Sequence, residues 1–160
     1  MTTTVVVGNP KPRSRTYEAA VLVAERLSGA PPDRVIDVVD LGPGLLGWGD
    51  EAVAEAVAAV CASSLVIVAS PTYKATYTGL LKLFLDQVPT DGMAGVHAVP
   101  VMLGAGPGHA MAPELLLKPV LVELGATCPT RGLYLLDSAW SDPAVLDPWL
   151  ERAGTQLGGP

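Results

Sequence analysis

"LVIVASPTYKATYTGLLKLFL", residues 65–85, decides the architecture. Leu65 to Ala69 is an unbroken apolar run, short and bounded by Ser70-Pro71, and it reads as a strand buried on both faces. Further on, Leu81, Phe84, Leu85 and then Val88 recur at helical spacing. A buried strand feeding an amphipathic helix through one turn is the repeating element of a parallel sheet covered on both sides.

The same alternation runs in both directions from this stretch. Upstream, Thr3 to Val7 is a β-branched strand ending at Gly8, and Thr16 is placed to cap a helix carrying Tyr17, Ala20, Val21, Ala24 and Leu27. Gly29 and the pair Pro31-Pro32 stop that helix. Val35 to Val39 reads as a second strand and Leu41 to Gly49 as a glycine-rich loop. Asp50 then caps a helix with the stripe Val53, Val57 and Val60.

Downstream, Val99 to Leu103 is a fourth strand, Gly132 to Leu136 a fifth, and Pro143 to about Leu157 a last helix. The helix between them covers roughly Glu114 to Leu124, and Pro119 requires it to kink or to begin late. Five such units in one chain predict a single α/β domain over residues 1–160. The expected form is a three-layer sandwich on a five-stranded parallel sheet of flavodoxin-like order 2-1-3-4-5, with ligands at the carboxyl ends of strands one and three.

Composition narrows the partners. A net charge of −6 argues against nucleic acid, which requires a basic face. Hydrophobic residues at 49% against 16% charged suit a sheet buried between helices, and no apolar run reaches the roughly eighteen residues of a membrane span. The N-terminus lacks the pattern of a secretory signal, so a cytoplasmic protein is expected. Cys61 and Cys128 form no Cys-x-x-Cys pair, and His97 and His109 belong to no cluster with metal-ligand spacing, so no metal is expected.

In a parallel sheet the turns after strands one, three and four share an edge. The first, "GNPKPRSRT" (8–16), puts Lys11, Arg13, Ser14, Arg15 and Thr16 just before a helix start, where free N–H groups and the helix dipole favour an anion. It has neither a Walker loop nor a Gly-x-Gly-x-x-Gly run, so a phosphate monoester fits better than a triphosphate or pyrophosphate. A solvated loop with ordinary capping is the alternative. The second, "SPTYKATYTG" (70–79), offers Tyr73 and Tyr77 beside a main chain stiffened by Pro71. That suits the rim of a flat heteroaromatic ligand, and equally suits two half-buried packing residues. The third, "GAGPGHA" (104–110), has glycines that let the backbone approach a ligand closely, or that simply connect strand to helix.

Together these segments resemble the NADPH-dependent FMN reductase family, in particular the FMN reductases of alkanesulfonate assimilation. The likeness runs over "GNPKPRSRT", "ASPTYKATYTGLLKLFLDQVP" and "HAMAPELLLKPVL". It implies a flavodoxin-like domain that binds FMN, takes a hydride from NADPH or NADH, and passes reduced flavin to a partner monooxygenase. By the same resemblance Asn9, Lys11, Ser14, Arg15 and Thr16 hold the phosphate. Pro71, Thr72, Tyr73 and Lys74 line the isoalloxazine ring, Gly104, Ala105 and Gly106 approach its other edge, and the chain forms a homodimer or homotetramer. Asn9 and Lys11 stand where the family more usually has Ser and Arg, and Leu-Gly-Ala-Gly (103–106) replaces Thr-Gly-Gly-Thr. Leu115 occupies the place of a tyrosine associated with a π-bulge and with flavin transfer. This last departure points towards a more tightly held flavin, and the alternative is an enzyme that keeps its FMN and reduces a quinone, an azo compound or a biosynthetic acceptor.

Overall fold

The computed structural model describes residues 1–158. Strands β1 (Thr3–Val7), β2 (Arg34–Asp37), β3 (Leu65–Pro71), β4 (His97–Gly104) and β5 (Leu133–Leu136) form one sheet in the order β2-β1-β3-β4-β5, every pairing parallel. Around it pack α1 (Arg15–Ser28), α2 (Glu51–Cys61), α3 (Gly79–Leu85), α4 (Lys118–Glu123) and α5 (Pro143–Gln156). The flavodoxin-like order expected from the alternation is the order observed.

The pleat sorts the strand residues between two cores. Val5, Val7, Ile67, Ala69, Val101 and Leu103 meet Ala19, Ala20, Val23 and Ala24 of α1 and Leu146 and Leu150 of α5. Val6, Val66, Val68 and Met102 turn the other way, onto Val53 and Val57 of α2, Leu81 and Phe84 of α3, and Leu121 of α4. Burial on both faces is why these strands read as continuous apolar runs. Phe84 and Leu81 are fully enclosed, each worth about 1.5–3 kcal/mol of transfer free energy.

Several boundaries differ from the sequence expectation for local reasons. The cap of α1 is Ser14, whose Oγ accepts the N–H of Tyr17 at 3.3 Å, while Thr16 lies buried in the first turn. β2 ends at Asp37 because the chain bends at once into a 3-10 segment, Val38–Leu46, interrupted at Gly42 with φ 54°. A 3-10 turn built on Gly-Pro-Gly has no apolar periodicity, so it reads as loop. β4 starts at His97 and passes through Pro100 although it is a central strand. Ala98 donates its N–H to Thr127 on the β5 side, and strand alternation turns Pro100 to that side too, just before β5 begins to pair at Leu133.

Pro119 does more than kink its helix. The chain winds as a wide π turn over Pro113–Leu117, with Lys118 donating its N–H five residues back to Pro113, and α4 starts afresh at Lys118. Pro119 thereby falls in the first turn of a helix, where its missing N–H is not needed and its ring escapes the carbonyl four residues earlier. The π turn forms here with Leu115 in it.

Candidate functional site

The register brings three turns to one edge of the sheet. Val7 pairs with Asp37 and with Ala69, and Pro71 pairs with Leu103, so the chain leaves β1, β2, β3 and β4 at the same level. Two hydrogen bonds fasten the turns together. Thr78 Oγ1 donates to the carbonyl of Gly8 at 2.5 Å, and the N–H of Thr72 donates to the carbonyl of Leu103 at 2.7 Å. Gly8 has no room for a side chain, since a Cβ there would lie 2.3 Å from Cβ of Leu81.

The first turn is a closed polar network. Asn9 donates from Nδ2 to Thr16 Oγ1 at 3.1 Å and accepts the N–H of Lys11 on Oδ1 at 2.9 Å. Ser14 caps α1. The N–H groups of Arg15 and Thr16, at the first two positions of α1, have no acceptor among the described residues. Lys11 and Arg15 are exposed and belong to no ion pair among the described residues. Two N–H groups at a helix start with two unpaired cations beside them form a locally positive corner, the kind of setting that favours an anion.

Arg13 sits differently from its neighbours. It adopts a left-handed backbone, φ 50°, and its N–H donates to Asp37 Oδ2 at 2.9 Å. Its guanidinium bonds the same oxygen at 2.8 Å and Asp40 Oδ2 at 2.7 Å, with Cζ 5.7 Å from the ring centre of Tyr17. The bonds from Asp40 and Asp37 raise the guanidinium pKa further above its usual value. Arg13, read from the sequence as an anion ligand beside Lys11 and Arg15, is thus turned to the two carboxylates.

The second turn is a tight hairpin. Tyr73 and Thr76 exchange N–H···O bonds at 2.9 and 3.3 Å, and Lys74 and Ala75 at its tip have φ of 51° and 73°. Both tip residues carry a Cβ in a region that favours glycine, a strain of the order of 1 kcal/mol each. The N–H groups of Thr72 and Tyr73 are therefore engaged within the fold, and those at the tip, Lys74 and Ala75, have no acceptor among the described residues. Ser70 Oγ accepts the N–H of Thr78 at 3.0 Å and locks the base of the turn. Thr72 Oγ1 is buried without a partner among the described residues, and the Tyr73 ring is half exposed.

In the third turn the glycines divide their tasks. A Cβ on Gly104 would lie 2.0 Å from the hydroxyl of Tyr134, which donates to the carbonyl of Gly106 at 2.7 Å. Gly104 is bare to admit Tyr134, whereas Gly106 faces open space and Ala105 is exposed. Beyond them a cavity of about 350 Å³ is lined by Ala75, Pro107, His109, Met111, Leu115 and Leu116 among others. Met111 and Leu115 are 57% and 62% exposed. The π turn below is clamped by Glu114, which accepts from Lys118 Nζ at 2.9 Å and from the N–H of Gly132 at 2.6 Å. Burial pushes this carboxyl up, but those bonds outweigh it and hold it below its ordinary value.

The sequence missed Asp37, Asp40 and Tyr134. The available signal for Asp37 was its position, a carboxylate ending the apolar strand Val35-Ile36 at the edge where the turns gather. Among the described residues no group of three or more His, Cys, Asp or Glu is placed to hold a metal, and no helix is long and apolar enough to cross a membrane.

A model of the family described as NADPH-dependent FMN reductase matches residues 1–141. The chain belongs to that family. An FMN reductase (NADPH) of Escherichia coli is 40% identical over 73 residues, which cover 46% of this chain and 38% of that relative's own length. The NADH-dependent FMN reductase SfnF of Pseudomonas putida is 27% identical over 152 residues, covering 90% of this chain and 82% of that one. The solved apo form of an NADH:FMN oxidoreductase (EMOB) superposes with a TM-score of 0.84 at 32% identity, covering 98% of this chain and 86% of that one.

Proposed function

We propose that this member of the FMN reductase family is a cytoplasmic NAD(P)H-dependent FMN reductase that moves a hydride from a nicotinamide to FMN and supplies reduced flavin to a partner monooxygenase. The observation that carries the reading is the bond from Thr78 Oγ1 to Gly8, which joins a preformed anion site to an aromatic-edged turn on the neighbouring strand. A ligand with a phosphate at one end and a flat ring at the other matches that pairing.

The residues present fit FMN. Arg15 and Thr16 offer free N–H groups, and Lys11 and Arg15 offer positive charge, for the phosphate. Asn9, Ser14 and Thr16 keep that turn in shape through their own hydrogen bonds. Pro71, Thr72, Tyr73 and Lys74 border the ring, and the orphaned Thr72 Oγ1 and the tip N–H groups are the polar atoms there. From the far side the main-chain N–H groups of Ala105 and Gly106 have no acceptor among the described residues, while Gly104 leaves room for Tyr134 behind them. Bound FMN supplies the hydride acceptor. The chain's part is to hold two flat rings in order and to set N–H donors where negative charge gathers, and neither task requires a side-chain acid or base.

A second copy of this chain over Met111, Leu115 and Leu116 would close the neighbouring cavity, in a homodimer or homotetramer. Leu115, in place of the family's tyrosine on the π turn, favours one further reading: an enzyme that retains FMN and reduces a quinone, azo or biosynthetic acceptor. Anaerobic titration with NADPH or NADH separates them. Multiple turnovers on added free FMN support the flavin-releasing reductase. A yellow protein that bleaches once and waits for an acceptor supports the bound-flavin enzyme. Absence of FMN binding rejects both.

A further inference from the structure

We propose that Asp37 is a positioning residue that sets the shape of the phosphate-binding turn through Arg13, an inference that rests on the FMN reading above. Asp37 ends β2, in register with Val7 at the point where the first turn begins. Its side chain is 2% exposed. One of its oxygens, Oδ2, accepts two bonds from a single residue: the main-chain N–H of Arg13 at 2.9 Å and the guanidinium at 2.8 Å. The other, Oδ1, is buried without a partner among the described residues.

A buried carboxylate is retained against its desolvation only where its bonds are strong, and here both serve one residue in an unfavourable backbone conformation. At φ 50° Arg13 is in the left-handed region, which is uncommon for a residue with a Cβ and costs about 1–3 kcal/mol that local bonds must offset. Ser14 follows at once as the cap of α1, and Arg15 and Thr16 carry the unengaged N–H groups. If Arg13 relaxed to negative φ, the direction of the next three residues would change and the N–H groups would diverge. The order of dependence is Asp37, Arg13, Ser14, helix start.

Charge assigns the same division of labour. Arg13 with Asp37 and Asp40 sums to one net negative charge, so this trio does not attract a phosphate. Lys11 and Arg15 are left to do so. Among the described residues the Asp40 carboxylate pairs with the guanidinium and takes no main-chain N–H, and it is about half exposed, so it adds negative charge without holding the main chain. Asp37 and Asp40, bound to the same side chain, therefore act in opposite senses on an anion nearby.

Titration of the full-length protein with FMN and with riboflavin, followed by flavin fluorescence, tests this. Both flavins share the ring, and only FMN has the phosphate. Asp37→Ala is expected to raise the Kd for FMN at least about tenfold while leaving that for riboflavin within about twofold. Asp40→Asn is expected to leave FMN affinity unchanged or to raise it up to about threefold. Should Asp37→Ala fail to fold, the isosteric Asp37→Asn is read instead, with an FMN-selective loss of about threefold expected. FMN affinity that holds in the folded Asp37 variant, or that falls in parallel with riboflavin, overturns the proposal. If the wild type binds neither flavin, the FMN reading fails. Phosphorus NMR line broadening of inorganic phosphate then tests the turn directly, and equal broadening in wild type and Asp37 variant overturns the positioning role.

Discussion

The turn after β1 and the turn after β4 sit on the same edge of the sheet and are finished to different degrees. In the first, Asn9, Arg13, Ser14 and Thr16 all find side-chain or main-chain partners within the chain, and the charges of Lys11 and Arg15 remain available. In the other, Tyr134 secures Gly104 and Gly106, but the chain then runs out over exposed Met111, Leu115 and Leu116 beside a cavity. A phosphate is small and needs rigid donors aimed at one point, which the first turn offers within one chain. A flat ring needs apolar walls on two sides, and a single chain presents only one of them here.

Four changes would break or sharpen this contrast. The largest effect is expected from Gly8→Ala, because the new Cβ would collide with Leu81 where α3 abuts the phosphate turn. A loss of about 2 kcal/mol, roughly 4–8 °C in Tm, should appear in a thermal melt. An unchanged Tm would mean that α3 yields and the first turn is not rigid. Next, Arg15→Ala removes the charge-assisted bond proposed to the phosphate, about 1.5 kcal/mol, and should weaken FMN at least about tenfold. Equal affinity by fluorescence titration would reject the phosphate assignment.

Leu115→Glu acts on the unfinished side. Leu115 is exposed, so folding should stay within about 0.5 kcal/mol of the wild type, while light scattering should show the proposed assembly shifting towards monomer. An unaltered mass would assign the apolar wall to the ligand alone. The smallest effect is expected from Glu114→Gln. The folded carboxyl lies below its ordinary value of 4.5, so its charge stabilises the native state above that pH and ceases to do so as pH falls through the folded pKa. Wild type should exceed the variant by up to about 1 kcal/mol at neutral pH and match it in acid. A constant gap at all pH values would show that shape, not charge, clamps the π turn.

The sequence made the sheet legible because burial on both faces writes itself as apolar runs such as Val66 to Val68, and the helices because Val53, Val57 and Val60 fall on one stripe. It located the three turns for the same reason, since they lie between those runs. What it missed depends on distance across the fold. Nothing local to Arg13 reveals that Asp37, at the end of another strand, takes both its N–H and its guanidinium. Gly104 read as a place for a ligand, and only the fold places Tyr134 over it. Pro119 was a visible conflict with a helix, but whether the answer would be a kink, a late start or a widened turn lay in the packing of Leu117 and Leu121 on the sheet.

That widened turn has a consequence for how the protein can change over time. A helix with one surplus residue can in general be returned to regular winding by a single deletion. Here such a deletion would extend an ordinary helix into Pro119, whose ring would meet the carbonyl four residues before it. Loss of the surplus alone leaves a damaged helix, whereas loss of the proline alone restores an N–H donor and leaves the wide turn free to stay or go. Pro119 thus acts as a one-way catch: while it stands, the wide turn cannot be closed by a deletion, whichever side chain occupies position 115.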